Sequence, residues 1–416
     1  MPFEQRPLGT LLAPKGYLRG PFGSALRRPE LKAKGIPVYE QQQAIEGHRR
    51  FRFYIDESKF DELKRFQVRT DDLIISCSGT VGRVSVIREE DPKGIISQAL
   101  LVLRPDVAQL LPSFLYYFLT SPEGQSRLLG ASHGAVQQNI APRNIVEQIP
   151  TPLPSIEEQQ QIADSLRLLD NRIDLLRQTN ATLESVAQAL FKSWFIDFDP
   201  VRAKAEGREP DGMDAATAAL FPAEFEESAL GLIPRGWSVA RLGDTIELAY
   251  GKALKATDRH PGSVPVYGSG GITGYHDEAL VKHASIVVGR KGTVGALYWE
   301  DAPFFPIDTT FYVKPKMTPL TFCFYAMQRL GLTHMNTDAA VPGLNRENAY
   351  RLEVLRPVGE VLEAFDQLVG PLREAMRTNG LRADTLMQLR DSLLPRLISG
   401  KLRLPEAQAQ LEEAIA

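Results

Sequence analysis

Two polar loops hold side chains suited to reading the edges of nucleic-acid bases. One carries Gln137, Gln138, Asn139 and Arg143, and the other carries Asn345, Arg346 and Asn348. Arg, Asn and Gln present paired donors and acceptors that match base edges in the major groove. The alternative for each loop is a solvent-exposed turn that caps a short helix. Two glycine-threonine hairpins add small residues beside cations: Ser78, Gly79, Thr80 and Arg83 in one, Arg290, Lys291, Gly292 and Thr293 in the other. Glycine lets a backbone approach a phosphate closely, although such a hairpin can also be a purely structural turn.

Three further stretches belong with these. The run His48-Arg49-Arg50-Phe51-Arg52 is basic with an aromatic inside, and Arg49, Arg50 and Arg52 suit phosphate contact or a solvated strand edge. The loop Tyr267 to Tyr275 is glycine-rich and offers Ser269, Tyr275 and the adjoining His276. It lacks the Lys-Ser/Thr pair of a nucleotide-binding loop. Lys192, Trp194, Phe195 and Phe198 close a helical stretch, where aromatics favour a partner interface or packing against the following linker.

Catalytic signatures are missing. No Asp/Asn-Pro-Pro-aromatic tetrapeptide of adenine methyltransferases and no Walker A loop occurs. Acidic-x-Lys triplets at Glu30–Lys32 and Glu62–Lys64 lack a preceding Pro-Asp. Six scattered His and two distant Cys suggest no metal cluster and no disulfide framework. The N-terminus shows no secretory leader and no stretch has membrane-spanning length, so the expected setting is cytoplasmic.

The elements that must position these residues form a repeat. Gly292-Thr293-Val294-Gly295 matches Gly79-Thr80-Val81-Gly82 at an offset of 213. Pro315 closes a strand as Pro105 does (offset 210), and Tyr325 matches Tyr117 in an aromatic helix (offset 208). Asn348 matches Asn144 at 204, and Val264–Tyr267 mirrors Ile36–Tyr39. Slowly drifting offsets in constant order indicate a duplicated domain of class α+β. The formal charge of −3 hides a local excess: residues 1–152 carry +4 and residues 235–357 carry +3, leaving −10 elsewhere. Phosphate binding needs local cations, not a basic total.

Between the copies, Ile162, Leu166, Leu169, Ile173, Leu176, Asn180 and Leu183 step by three and four. This is a heptad seam over a long helix from Ser155 to Asp199, which spans roughly 60 Å at ~1.5 Å per residue. A second seam runs from Leu362 through Phe365, Val369, Leu372, Met376, Asn379, Ala383 and Leu386 to Leu393 and Leu397. Gly370-Pro371 predicts a break or bend there. If the helices pair antiparallel with Ile162 facing Leu397, facing residue numbers add to 559 and Asn180 meets Asn379. Residues 201–234 read as an extended linker with one short helix, and residues 401–416 as a loosely held tail.

At FKSWFIDFDPVRAKAEG (191–207), GLIPRGW (231–237) and LRDSLLPRLISGKL (389–402), the chain resembles the specificity subunit of type I restriction–modification systems. The resemblance covers essentially the whole chain. It implies target recognition domains at 1–152 and 235–357, and conserved helical regions at 153–200 and 358–400 that pair as an antiparallel coiled coil. Each domain would read one half of a bipartite site in double-stranded DNA, with the helices setting the gap. The implied partners are two methyltransferase (modification) subunits docked on the helices, and restriction/translocase subunits. The chain itself would be no enzyme and bind no cofactor; S-adenosylmethionine and ATP/Mg would belong to the partners. The alternatives are a stand-alone DNA methyltransferase or nuclease, and a coiled-coil scaffold without a DNA role.

Overall fold

The computed structural model describes residues 3–22, 25–130, 139–335 and 343–415. It divides into two units: residues 1–175 with 382–416, and residues 176–381. Each long helix therefore supplies a segment to each unit.

The same sheets occur in both units. In the first, a four-stranded antiparallel sheet runs in the order Leu12–Arg19, Leu100–Pro105, Leu73–Ser76, Val84–Val86. In the second, Ile246–Tyr250, Thr310–Pro315, Ser285–Gly289 and Leu297–Glu300 take the same order. Beside each lies a three-stranded sheet with one parallel pairing, Ile36–Tyr39 with Ile95–Ile96 and Val264–Gly268 with Phe305–Pro306. A third, two-stranded sheet closes each module. The central strands Leu73–Ser76 and Ser285–Gly289 are wholly buried, as their apolar runs dictate. Equal strand order, with the one parallel pair at the same place, is what a duplicated domain gives.

The two hairpin turns are built alike. Gly82 donates its N–H to the Ser76 carbonyl at 2.9 Å, and Gly295 donates to the Gly289 carbonyl at 2.8 Å. Both adopt positive φ (82° and 70°), which L side chains resist. A Cβ on Gly295 would lie 2.2 Å from the Leu332 backbone, so glycine is required there on both counts.

The central helix runs Ile156–Lys192 and passes into a π-helical turn at Ser193–Asp197. Phe198 then takes a left-handed conformation (φ 57°) that turns the chain away. The C-terminal helix runs Gly359–Ile398 without interruption, so of the break or bend predicted at Gly370-Pro371 no break occurs. Pro371 removes one backbone donor, but packing of Val369 and Phe365 on the seam side holds the helix through it. Seam residues Ile162, Leu166, Leu169, Ile173, Phe365, Val369, Leu393 and Leu397 are buried, whereas Leu168, one step off the seam, is 52% exposed.

Within the second unit the predicted polar pair forms. Asn379 Nδ2 donates to Asn180 Oδ1 at 2.9 Å, and Asn180 Nδ2 donates to the Met376 carbonyl at 2.9 Å. Each amide thus satisfies part of the other's hydrogen-bonding capacity beside an apolar seam.

A further contact recurs in both units. In the first, Tyr117 of the aromatic helix Pro112–Thr120 donates to Asp170 Oδ2 at 2.8 Å, and Arg390 Nη1 donates to Asp170 Oδ1 at 2.8 Å. In the second, Tyr325 of Leu320–Arg329 donates to Glu184 Oε2 at 3.3 Å, and Arg373 donates to the same oxygen at 2.8 Å. A tyrosine from the module, an acid from the central helix and an arginine from the C-terminal helix are joined each time. Burial, with the neighbouring acid, raises the pKa of both tyrosines, so each stays a hydroxyl donor at neutral pH.

The stretch after the central helix is no extended linker. It forms helices Asp199–Ala205 and Ala215–Ala219 and a hairpin, Phe225–Ser228 with Gly231–Pro234. Phe221, Ile233 and Trp237 anchor it in the core of the second unit, which is why it folds. The tail also folds, as helix Leu404–Ile415. Among the described residues no helix is long and apolar enough to cross a membrane.

Removing the shared acid tests the recurrent contact. Asp170→Ala takes the acceptor from both Tyr117 and Arg390 and should cost about 2–3 kcal/mol, since hydrogen bonds to charged groups contribute roughly 1.5–3 kcal/mol each before relaxation. Leu168→Ala should lie within about 0.5 kcal/mol of the parent. Urea denaturation of both variants measures the difference.

Candidate nucleic-acid interface

In the second unit the structure gathers residues that the sequence held apart. Arg290, before the glycine-threonine hairpin, places its guanidinium 5.0 Å from the Tyr250 ring. Arg346, at the start of helix Arg346–Tyr350, stands 5.0 Å from the same ring. Tyr250 ends an edge strand and is 48% exposed. Two arginines on one tyrosine hold their charged ends near the surface while their stems pack. Backbone bonds fix the arrangement: Leu344 donates to the Arg290 carbonyl at 2.8 Å, and Lys291 bridges Gly343. The Arg290 side chain also donates to the Asp308 carbonyl at 2.8 Å.

The glycine-rich hairpin joins this group. The Thr293 N–H reaches Ser269 Oγ at 3.4 Å, and Tyr298 donates to the Ser269 carbonyl at 3.3 Å. Lys291 and Thr293 are exposed at the turn. Tyr275 is exposed on the strand leading away. Asn345 acts as the N-cap of its helix, accepting the Asn348 N–H at 3.1 Å, so at this position the capping alternative is what the chain uses. Asn348 is half-buried.

The first unit holds a related arrangement. Arg143 starts helix Arg143–Glu147, stands 5.2 Å from the Tyr17 ring, and pairs with Glu147 at 2.8 Å. Tyr17 lies on the edge strand equivalent to that of Tyr250. Tyr17, Arg19, Ile140, Ala141, Pro142 and Arg143 line an open cleft. Burial raises the Tyr17 pKa against the opposing pull of Arg19 and Arg143. Ser78 Oγ donates to Gln41 Oε1 at 3.1 Å. The hairpin therefore meets the start of helix Gln41–Glu46, which follows Ile36–Tyr39, much as Thr293 meets Ser269 after Val264–Gly268. Thr80, Arg83 and Asn139 are exposed. Gln137 and Gln138 lie outside the described residues.

Other predicted positions are taken up by the fold. Arg49 pairs with Asp91 at 2.8 Å and donates to the Val86 carbonyl at 2.8 Å, so it braces the module from inside. Arg50 is exposed, and Arg52 is exposed beside Glu40 at 2.9 Å. Trp194 and Phe195 are buried among Phe221, Trp237, Phe322 and Phe365, so packing against their own unit, not partner docking, accounts for them. Lys192, paired with Asp197, is exposed, and Phe198 is half-buried.

Sequence reasoning missed Tyr17 and Tyr250. Neither sits in a loop motif. Each is one residue on an edge strand, and only matching the two edge strands would have drawn attention to them.

Both modules thus present a tyrosine-arginine stack and a glycine-threonine turn, and in the second module backbone bonds join the two to the Asn345 loop. This describes a duplicated recognition protein. The family profile for the type I restriction modification DNA specificity domain matches residues 27–185 and 234–347, one region for each module. The chain belongs to this family, whose members supply sequence recognition to type I restriction enzymes without carrying out catalysis. It is similar to the HindI specificity subunit of Haemophilus influenzae, 26% identical over 390 aligned residues, covering 77% of this chain and 84% of that one. It is also similar to the MjaIX specificity subunit of Methanocaldococcus jannaschii, 24% identical over 328, covering 71% and 70%. The crystal structure of a type I S subunit from M. genitalium shares the fold, with a TM-score of 0.60 at 18% identity over 95% of this chain and 96% of that one.

The two cysteines are structural. Burial pushes the Cys77 thiol up to about 11 and the Cys323 thiol up to about 12. A raised thiol pKa means the neutral, unreactive form holds at pH 8. The native chain should resist a disulfide-exchange thiol reagent at pH 8, and release two equivalents of chromophore only once denatured.

Proposed function

We propose that each module reads one half of a bipartite double-stranded DNA site and that the two long helices fix the number of unread base pairs between. The observation that carries this reading is the repeated tyrosine-arginine surface beside the glycine-threonine turn. Phosphate contacts would come from exposed cations at the turns, Lys291 above all, and from Arg50, Arg52 and Arg83. Base edges would be met by Arg346, Arg143 and the polar loop residues, whose guanidinium and amide groups match purine acceptors.

The helices act as the spacer in this reading, pairing antiparallel as a coiled coil. The Asn180–Asn379 hydrogen bond supports that register, because a polar pair on an apolar seam disfavours slippage. Exposed aliphatic residues on the outer faces, such as Leu168, Val186 and Leu368, suit docking of two modification subunits. Restriction/translocase subunits would complete the larger assembly. S-adenosylmethionine and ATP/Mg would be bound by those partners, leaving this chain to supply position and specificity.

Two substitutions separate backbone from base contact. Lys291→Ala should weaken DNA binding of the complex across all sequences and reduce the salt slope by about one. Arg346→Ala should relax one position of one half-site, a loss of roughly 1–3 kcal/mol in discrimination. Selection from a random DNA pool at two salt concentrations reads both effects. Equal, sequence-independent losses would refute the assignment of Arg346, and absence of any split motif would refute the bipartite reading.

A further inference from the structure

We propose that His260, His276 and Asp277 form a binding site for a divalent transition-metal ion of the zinc type, which clips the segment before the glycine-rich hairpin to the end of that hairpin. The ligand atoms of the three residues lie within 4.8 Å of one another. Asp277 Oδ2 is 3.4 Å from His260 Nδ1, and Asp277 Oδ1 is 3.0 Å from His276 Nδ1. Tetrahedral zinc with bonds of about 2.0–2.1 Å has ligand-to-ligand edges of about 3.4 Å, and each oxygen of the carboxylate stands near that distance from one of the two imidazole nitrogens.

The chemistry at His276 also points to a cation. Its ring is buried, packed edge-on to Phe305 at 5.9 Å. Its Nδ1 faces the His260 backbone N–H at 3.1 Å and the Asp277 carboxylate at 3.0 Å. One ring nitrogen cannot serve both: as an acceptor it confronts a carboxylate oxygen, and as a donor it confronts an N–H. A positive centre between the nitrogen and the carboxylate removes the first conflict, at the cost of the His260 N–H bond. Two imidazoles and a carboxylate without thiolate select zinc-like ions over calcium or magnesium, which prefer oxygen shells.

The backbone is shaped to bring the two strands of this site together. A Cβ on Gly262 would lie 2.2 Å from the His276 carbonyl oxygen and 2.4 Å from Asp277 Cα. Arg259 Nη1 adds a bond to the Thr273 carbonyl at 2.9 Å. His260 and Asp277 are exposed, which leaves an open side for water as a further ligand. The site lies at the base of the Gly271–His276 strand, and it stands whether or not that strand touches DNA.

Calorimetric titration of the full-length, chelator-stripped chain with Zn2+ tests this. Saturable binding of one equivalent is expected, weakened at least tenfold by His260→Ala and by Asp277→Asn, and unchanged by His283→Ala. The melting temperature of each variant in chelator should equal that of the parent, showing that the ligands and not the fold were lost. Co2+ should give visible absorption bands in the parent that His260→Ala lacks. No saturable binding, binding that survives both ligand substitutions, or binding abolished by His283→Ala would overturn the site.

Discussion

The shared acid on the central helix is the constraint on which each unit rests. Asp170 and Glu184 each accept from a module tyrosine and from an arginine of the C-terminal helix. These are charge-assisted bonds in half-buried surroundings, where water competes poorly and a missing partner is costly. Hydrophobic packing alone would let a module roll on its helices. Two directed bonds converging on one carboxylate remove that freedom and give the sheets a fixed orientation to the seam within the unit.

From that fixed base, the module's own strands do little except deliver turns. The central strands are buried and apolar but for one serine at an end of each, so chemistry is confined to their ends. Glycines at positive φ shape the turns, and the edge-strand tyrosines hold arginine side chains at the surface with limited rotamer freedom. A guanidinium already stacked loses less entropy on meeting a ligand than a free one. The second unit carries two such arginines on Tyr250, and the first carries Arg143 on Tyr17.

Much of this was legible in the sequence, for physical reasons. Duplication shows because glycines and prolines at turns tolerate few substitutes. The helix seams show because burial enforces a three-and-four step, and the same step brings Asn180 opposite Asn379. What was not legible depends on tertiary context. Pro371 signals a break, yet the seam residues around it hold the helix continuous. The acidic stretch after Phe198 reads as linker, yet apolar side chains, Val201, Phe221 and Ile233 among them, fold it onto an aromatic core. That same core buries Trp194 and Phe195, which a helix end alone would leave outside. The tyrosine-arginine stacks are invisible because their members come from an edge strand, a hairpin and a short helix far apart along the chain.

The division of the chain also has a consequence for how it acquires its shape. The first unit comprises residues 1–175 and 382–416, so its last segment is synthesised after the whole of the second. Arg390 reaches Asp170 across 220 positions of sequence. Closing so long a loop is slow more than it is costly, since the entropy grows only with the logarithm of length. Until residues 382–416 emerge, Asp170 lacks the arginine that completes its pair of bonds. The first unit to begin is therefore completed only after the second has been made.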